Sequence, residues 1–210
     1  MRTLDEVRAV GRFLAGFSGP WWVAGGWAID LWLGSMGREH EDIEISVRRQ
    51  DQAAIRAYCA PWPILTPRDN QWVPLAPDES VELPEFQLMI RPPPTVLDEY
   101  PGLPPEFEFM LNDIEGDSWI FRPEPSIRRA WDRVRLPGVE GLPVTAPEVQ
   151  LLHKARHHRP KDDHDFARVH TRLNSEQRAW LRTALAQIRP ADPWLADLDE
   201  DSRTPLIEKG

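Results

Sequence analysis

The sequence predicts an α+β fold, a mixed twisted sheet flanked by helices and followed by a helical C-terminal part. Three observations carry that expectation. The first half alternates short apolar strand candidates with helical patterns. Within it, Asp42 to Val47 alternates cleanly, with Asp42, Glu44 and Ser46 on one side and Ile43, Ile45 and Val47 on the other, as in a half-buried strand. Beyond about Arg122 the pattern changes to longer amphipathic stretches. The expected division is a core over 1–125 and a helical part over 126–210.

Element by element, Thr3-Leu4-Asp5-Glu6 is a capping box that opens a helix with the apolar stripe Leu4, Val7, Val10, Leu14 and Phe17. Gly19-Pro20 stops it. Trp21 to Ala24 is a short strand, Gly25-Gly26 breaks it, and Trp27 to Leu33 is a short helix closed by Gly34. Gln52 to Cys59 is a helix. Strands are expected around Trp62–Leu65, Trp72–Leu75, Phe86–Ile90, Phe107–Leu111 and Trp119–Phe121, with a proline-bounded loop over Pro92 to Pro105. In the C-terminal part Pro147 to His157, Asp162 to Leu173 and Asn174 to Ile188 read as helices. Val149 and Leu152 point inward in the first; the third has Asn174 and Gln177 in capping-box spacing and Pro190 beyond its end. The charged last dozen residues are expected to be loose.

Composition narrows the function classes. The 210 residues suffice for a real core, and 22 Pro among them imply many irregular connections. A formal net charge of -9 disfavours binding of nucleic-acid backbone, which needs clustered Lys and Arg, and favours cations as guests. The single cysteine, Cys59, excludes an intramolecular disulfide and fits a reducing compartment. The N-terminus lacks the apolar core of a signal peptide. The most apolar stretch, Pro20 to Gly34, is interrupted by Asp30 and too short to span a bilayer. A cytoplasmic location away from membranes is the expectation.

The chemistry concentrates in Trp22 to Val47. Gly25 and Gly26 lack side chains, so their N–H groups can approach a phosphate closely, and the helix that follows adds its positive N-terminal end. Asp42 and Glu44 share one strand face and repel each other unless something positive lies between them. Mg²⁺ suits such a pair, because it binds one or two carboxylates and keeps its other positions for water and phosphate oxygens. Two such ions serve both the attacking and the leaving oxygen. A third acid is expected from a neighbouring strand, Glu106-Phe107-Glu108-Phe109. Glu108, inside the strand, is preferred; Glu106, nearer the proline-rich loop, is the alternative.

These motifs resemble the nucleotidyltransferase superfamily with the polymerase-β-like fold. More narrowly, Gly25-Gly26-Trp27-Ala28-Ile29-Asp30 followed by Arg38-x-His40-x-Asp42-Ile43-Glu44-Ile45 is similar to the aminoglycoside 2''-O-nucleotidyltransferases and the lincosamide-modifying enzymes. The run Pro147-Glu148 through Lys154-Ala155, then Arg159 to Phe166, is similar to the helical segment of that group. The resemblance implies Asp42, Glu44 and Glu108 as catalytic and metal-holding acids, with Glu108 as ligand or proton acceptor. It implies Gly25 and Gly26 on the triphosphate, Arg38 and His40 flanking it, and Lys154 reaching the nucleotide. Glu at the second and third acid positions departs from the Asp usual in the aminoglycoside enzymes, so acceptor and rate do not carry over.

The function implied is Mg²⁺-dependent transfer of a nucleoside monophosphate from a nucleoside triphosphate to a hydroxyl of a small, cationic, antibiotic-like acceptor. The alternatives are transfer to tRNA or protein, and a non-catalytic binding module on the same fold. The acidity disfavours nucleic acid; the acid triad disfavours the module. Other features read as structural. His153, His157, His158 and His164 lack zinc-site spacing and read as a solvated helical surface. Asp162, Asp163 and Asp165 read as first-turn acids favoured by the helix dipole. The tryptophans read as core, with Trp72 and Trp119 as candidates to line a ligand cleft.

Overall fold

The computed structural model describes residues 1–76 and 78–199; the expectation for the charged tail lies outside them. Helix α1, Leu4–Leu14, starts as the sequence indicates: the Thr3 hydroxyl accepts from Glu6 N at 3.3 Å and the Glu6 carboxylate accepts from Thr3 N at 2.7 Å. It ends at Ala15, short of Gly19-Pro20.

Strand β1 is Trp21–Val23, helix α2 is Gly25–Leu33, strand β2 is Glu44–Arg48 and helix α3 is Gln52–Cys59. Strands β3, Ile64–Arg68, β4, Gln71–Pro74, and β5, Gln87–Ile90, follow. The expected proline-bounded loop contains a short helix, α4, Pro94–Glu99, with proline at its first position, where the missing N–H costs nothing. Strand β6, Phe107–Glu115, runs on past the expected Leu111 and turns into β7, Ser118–Ile120.

Three further strands, β8, Arg128–Ala130, β9, Arg135–Pro137, and β10, Pro143–Thr145, lie where a helical part was expected. Each has three residues, too few for a period to show. Strand β10 pairs in parallel with β1 and carries β9 at the sheet edge. The compact units therefore divide after Ala146, beyond the expected residue 125.

Among the described residues the sheet order is β4-β3-β5-β6-β2-β1-β10-β9, with β7 linking β6 to β8. Pairs β2·β6 and β1·β10 are parallel and the others antiparallel, giving the expected mixed sheet. One face is covered by helices. Ile43, Ile45 and Val47 join Phe107, Phe109 and Leu111 in a core with Val7, Val10, Phe13 and Leu14 of α1 and Ile55 of α3. Full burial of each such side chain contributes about 1.5–3 kcal/mol. That burial fixes the register, so the alternate residues Glu44, Ser46 and Glu108 are held on the opposite face.

The second unit, from Pro147, contains α5, Pro147–Lys154, α6, Pro160–Val169, α7, Ser175–Ile188, and α8, Trp194–Asp199. Asn174 caps α7, accepting from Gln177 N at 2.9 Å, and the Gln177 amide donates to buried Glu148 at 2.9 Å. No helix among the described residues is long and apolar enough to cross a membrane.

Candidate active site

The site is built at the ends of β1, β2 and β6. Helix α2 begins at Gly25, two residues earlier than expected, so the glycine pair forms its first turn. Gly25 has φ 66°, a conformation that L side chains rarely adopt, and a Cβ there would collide with the Glu44 carboxylate. Gly26 is equally confined: a Cβ would lie 2.5 Å from Nδ1 of His40 and collide with the Arg38 guanidinium. Four of the residues expected at the triphosphate (Gly25, Gly26, Arg38, His40) are thus brought together with Glu44.

The turn and the acid strand are tied by backbone bonds. Ala24 N donates to Glu44 O at 2.8 Å, and the Trp27 indole N–H donates to Asp42 O at 3.1 Å. Asp42 lies just before the strand and is exposed, whereas Glu44 opens it and is half-buried.

The third acid comes from β6. Glu108 is the register partner of Glu44, and its N–H donates to Ile43 O at 2.9 Å. Burial, together with the charges of Asp42 and Glu106, pushes the Glu108 carboxyl up to about 7. Its one polar contact from β5 is the Gln87 amide, at 3.3 Å. Glu106 has other company: Arg91 at 3.2 Å and Arg2 at 4.0 Å. Of the two candidates, Glu108 is the one whose charge is left without a cationic partner in the structure.

Among the described residues, no group of three or more acids, histidines or cysteines is placed so that it could hold a metal ion. The donor set nonetheless fits Mg²⁺, which takes one or two carboxylates and keeps positions for water and phosphate oxygens. The carboxylates of Asp42 and Glu44 would hold it, with Glu108 on the neighbouring strand. The raised Glu108 pKa is the observation behind that fit, since burial and the charges of Asp42 and Glu106 disfavour its ionised form.

Lys154 belongs to the second unit and is buried there. Its ammonium pairs with Asp165 at 2.8 Å and Asp162 at 3.3 Å, both carboxylates buried. Asp162 and Asp163 lie in the first turn of α6 as expected; Asp162 and Asp165 are buried, and Asp163 is exposed. Burial alone would raise the Asp162 pKa, but the Arg159 hydrogen bond and the Lys154 charge outweigh it and hold it low. His158 is not solvated either; it lies between Asp163 at 2.9 Å and Asp192 at 2.7 Å. Trp119 is core, 1% exposed, and donates to Asn112 at 2.9 Å.

Two residues of the first unit escaped the sequence reading of the site. Asp30, noted there within the motif and as an interruption of an apolar stretch, is buried at 3% and bonded to His40 at 2.7 Å. A carboxylate inside an otherwise apolar helix was the available signal. Gln87, beside Glu108, carried none.

Residues 6–62 match the model of the family described as Aminoglycoside-2''-adenylyltransferase. No curated protein matches the chain. Among solved structures, the lincomycin-bound lincosamide antibiotic adenylyltransferase LnuA is similar at TM-score 0.52 and 18% identity, over 80% of this chain and 96% of that one. The solution structure of the antibiotic-resistance factor ANT(2'')-Ia is similar at TM-score 0.54 and 16% identity, over 88% and 91%. ANT(2'')-Ia in complex with adenylyl-2''-tobramycin is similar at TM-score 0.54 and 14% identity, over 87% and 96%. The expected resemblance and the expected fold both stand. The likeness to these structures shows the fold, and the family match covers the N-terminal quarter of the chain.

Proposed function

We propose that this protein is a nucleotidyltransferase that moves a nucleoside monophosphate from a nucleoside triphosphate, with ATP the first candidate, onto a hydroxyl of a small cationic acceptor of the antibiotic type. The observation that carries this reading is the juxtaposition of Glu44 with Gly25 on one side and with Glu108 on the other. A glycine turn suited to an anion and a set of carboxylates meet at the ends of the central strands β1, β2 and β6. The similar structures bind lincomycin and adenylyl-tobramycin, and the net charge of -9 suits a cationic guest.

In the proposed reaction the acceptor oxygen forms a bond to the α-phosphorus. The bond from that phosphorus to the β-phosphate's bridging oxygen breaks, and pyrophosphate leaves. Mg²⁺, when bound, supplies charge neutralisation for the phosphate oxygens. Gly25 and Gly26 offer backbone N–H groups to the triphosphate, and Arg38 brings positive charge beside them. Asp42 and Glu44 hold the cation. Glu108, with its pKa near the working pH, takes the proton from the acceptor hydroxyl.

The test is pyrophosphate release with Mg²⁺, each of the four nucleoside triphosphates, and a panel of aminoglycosides, lincosamides and tRNA. Release with one of the small cationic acceptors supports the proposal. Labelling of tRNA alone replaces the acceptor class. No release with any acceptor, and no nucleotide binding, returns the chain to a binding module on this fold.

A further inference from the structure

A buried charged residue of the first unit has no part in the reaction proposed above. Asp30 sits in the apolar helix α2 at 3% exposure. An ionised carboxylate in such surroundings costs several kcal/mol unless it is paired and hydrogen-bonded. Its oxygens accept from Nε2 of His40 at 2.7 Å and from Gly37 N at 3.0 Å. Both donors lie on the connection from α2 to the acid strand β2.

His40 carries the contact onward. Its ring is 1% exposed. A carboxylate only accepts, so Nε2 must bear the proton and the ring orientation is set. The Nδ1 edge abuts Gly26, where an added Cβ would come within 2.5 Å of it. The ring face lies on Trp27, centroids 4.4 Å apart, and Trp27 holds the Asp42 carbonyl at 3.1 Å. His40 is thus a wedge between the glycine turn and the first acid, and Asp30 is what holds the wedge.

We propose that Asp30 is a positioning residue for nucleotidyl transfer, acting through His40 to fix the glycine turn and Asp42 relative to each other. This rests on the function proposed above. It moves His40 from a triphosphate contact to a support beneath the turn. Misplacing reacting groups by about 1 Å costs on the order of 10²-fold in rate. An asparagine at position 30 keeps the volume but presents an N–H₂ to one of the two donors, so one bond is lost or the ring turns over.

The experiment compares wild type with Asp30→Asn, His40→Gln and His40→Ala. It reads kcat and acceptor KM by pyrophosphate release, binding of Mg²⁺ with a non-hydrolysable triphosphate by calorimetry, and melting temperature. For Asp30→Asn we expect kcat per folded molecule to fall about 10–100-fold, nucleotide binding to weaken, and acceptor KM to stay put. His40→Gln, whose amide nitrogen reaches the place of Nε2, should retain more activity and binding than His40→Ala.

A folded Asp30→Asn with wild-type kcat and nucleotide binding overturns the proposal, as does one that changes only acceptor KM. If Asp30→Asn does not fold, equal losses in His40→Gln and His40→Ala overturn it. Binding needs no acceptor, so a wild type that binds nucleotide without transferring it refutes the acceptor class while the positioning comparison proceeds. A wild type that neither binds nor transfers refutes the underlying function.

Discussion

Glu44 and Glu108 face each other directly across the parallel strands β2 and β6. Burial, with the charges of Asp42 and Glu106, disfavours the ionised form of Glu108. The folded-state pKa of Glu108 is about 7, against an ordinary 4.5. Between those values the folded state holds more proton than the unfolded one, so this group's contribution to stability falls as pH rises through 4.5 to 7 and is flat above. Glu108→Gln should remove that slope and make the variant about 1–2 kcal/mol more stable than wild type at pH 8, allowing for solvent screening of a half-buried group. Urea denaturation of both proteins at pH 5 and pH 8 measures it; equal differences at the two pH values would contradict the assignment.

The same substitution should abolish transfer, whereas Glu106→Gln should cost less than about tenfold. Glu106 already faces Arg91 and Arg2, and an exposed pair of that kind contributes little. Parallel kcat measurements on the two variants decide it; a dead Glu106→Gln would exchange their roles.

Asp42→Asn should lose about 10³-fold or more in kcat with an unchanged fold, because Asp42 is exposed and lends its backbone carbonyl, not its carboxylate, to Trp27. Mg²⁺ and a non-hydrolysable triphosphate should stabilise wild type together far more than either alone. At about 100-fold over the dissociation constant the gain is roughly 2.7 kcal/mol, several degrees of melting temperature for a chain of this size. Asp42→Asn should blunt that synergy. Scanning calorimetry with all four ligand combinations reads both effects.

Gly25→Ala should impair both fold and activity. A left-handed backbone costs a non-glycine residue about 1–2 kcal/mol, and the new methyl group would also displace the Glu44 carboxylate. A stable Gly25→Ala with full activity would show that the turn is not the cradle.

Lys154→Met should destabilise the second unit by about 3–5 kcal/mol, since two buried carboxylates lose their cation. The expected loss is in denaturation midpoint. A variant of undiminished stability with a raised nucleotide KM would restore Lys154 to the nucleotide.

The sequence made the acid strand and the glycine turn legible because both are local: period-two alternation places Asp42 and Glu44, and a glycine pair between strand and helix marks the turn. The Glu108 placement was not local. It depends on a parallel pairing across β3, β4, β5 and α4, and Glu106 is neutralised in part by Arg2 from the opposite end of the first unit. The burial of Lys154 was not legible for a related reason. Its partners sit eight and eleven residues on, across a turn, on a helix whose inward face no single-helix pattern reveals. Strands β8 to β10 are too short to leave a period at all.

The bonds from Ala24 to Glu44 and from Trp27 to Asp42 make residues 24–48 a self-contained cassette. The third carboxylate arrives by a detour through residues 49–106, which must only return a strand parallel to β2. The detour can be lengthened or exchanged while the cassette keeps its internal dimensions, provided that β5 still pairs with β6 and presents Gln87 to Glu108.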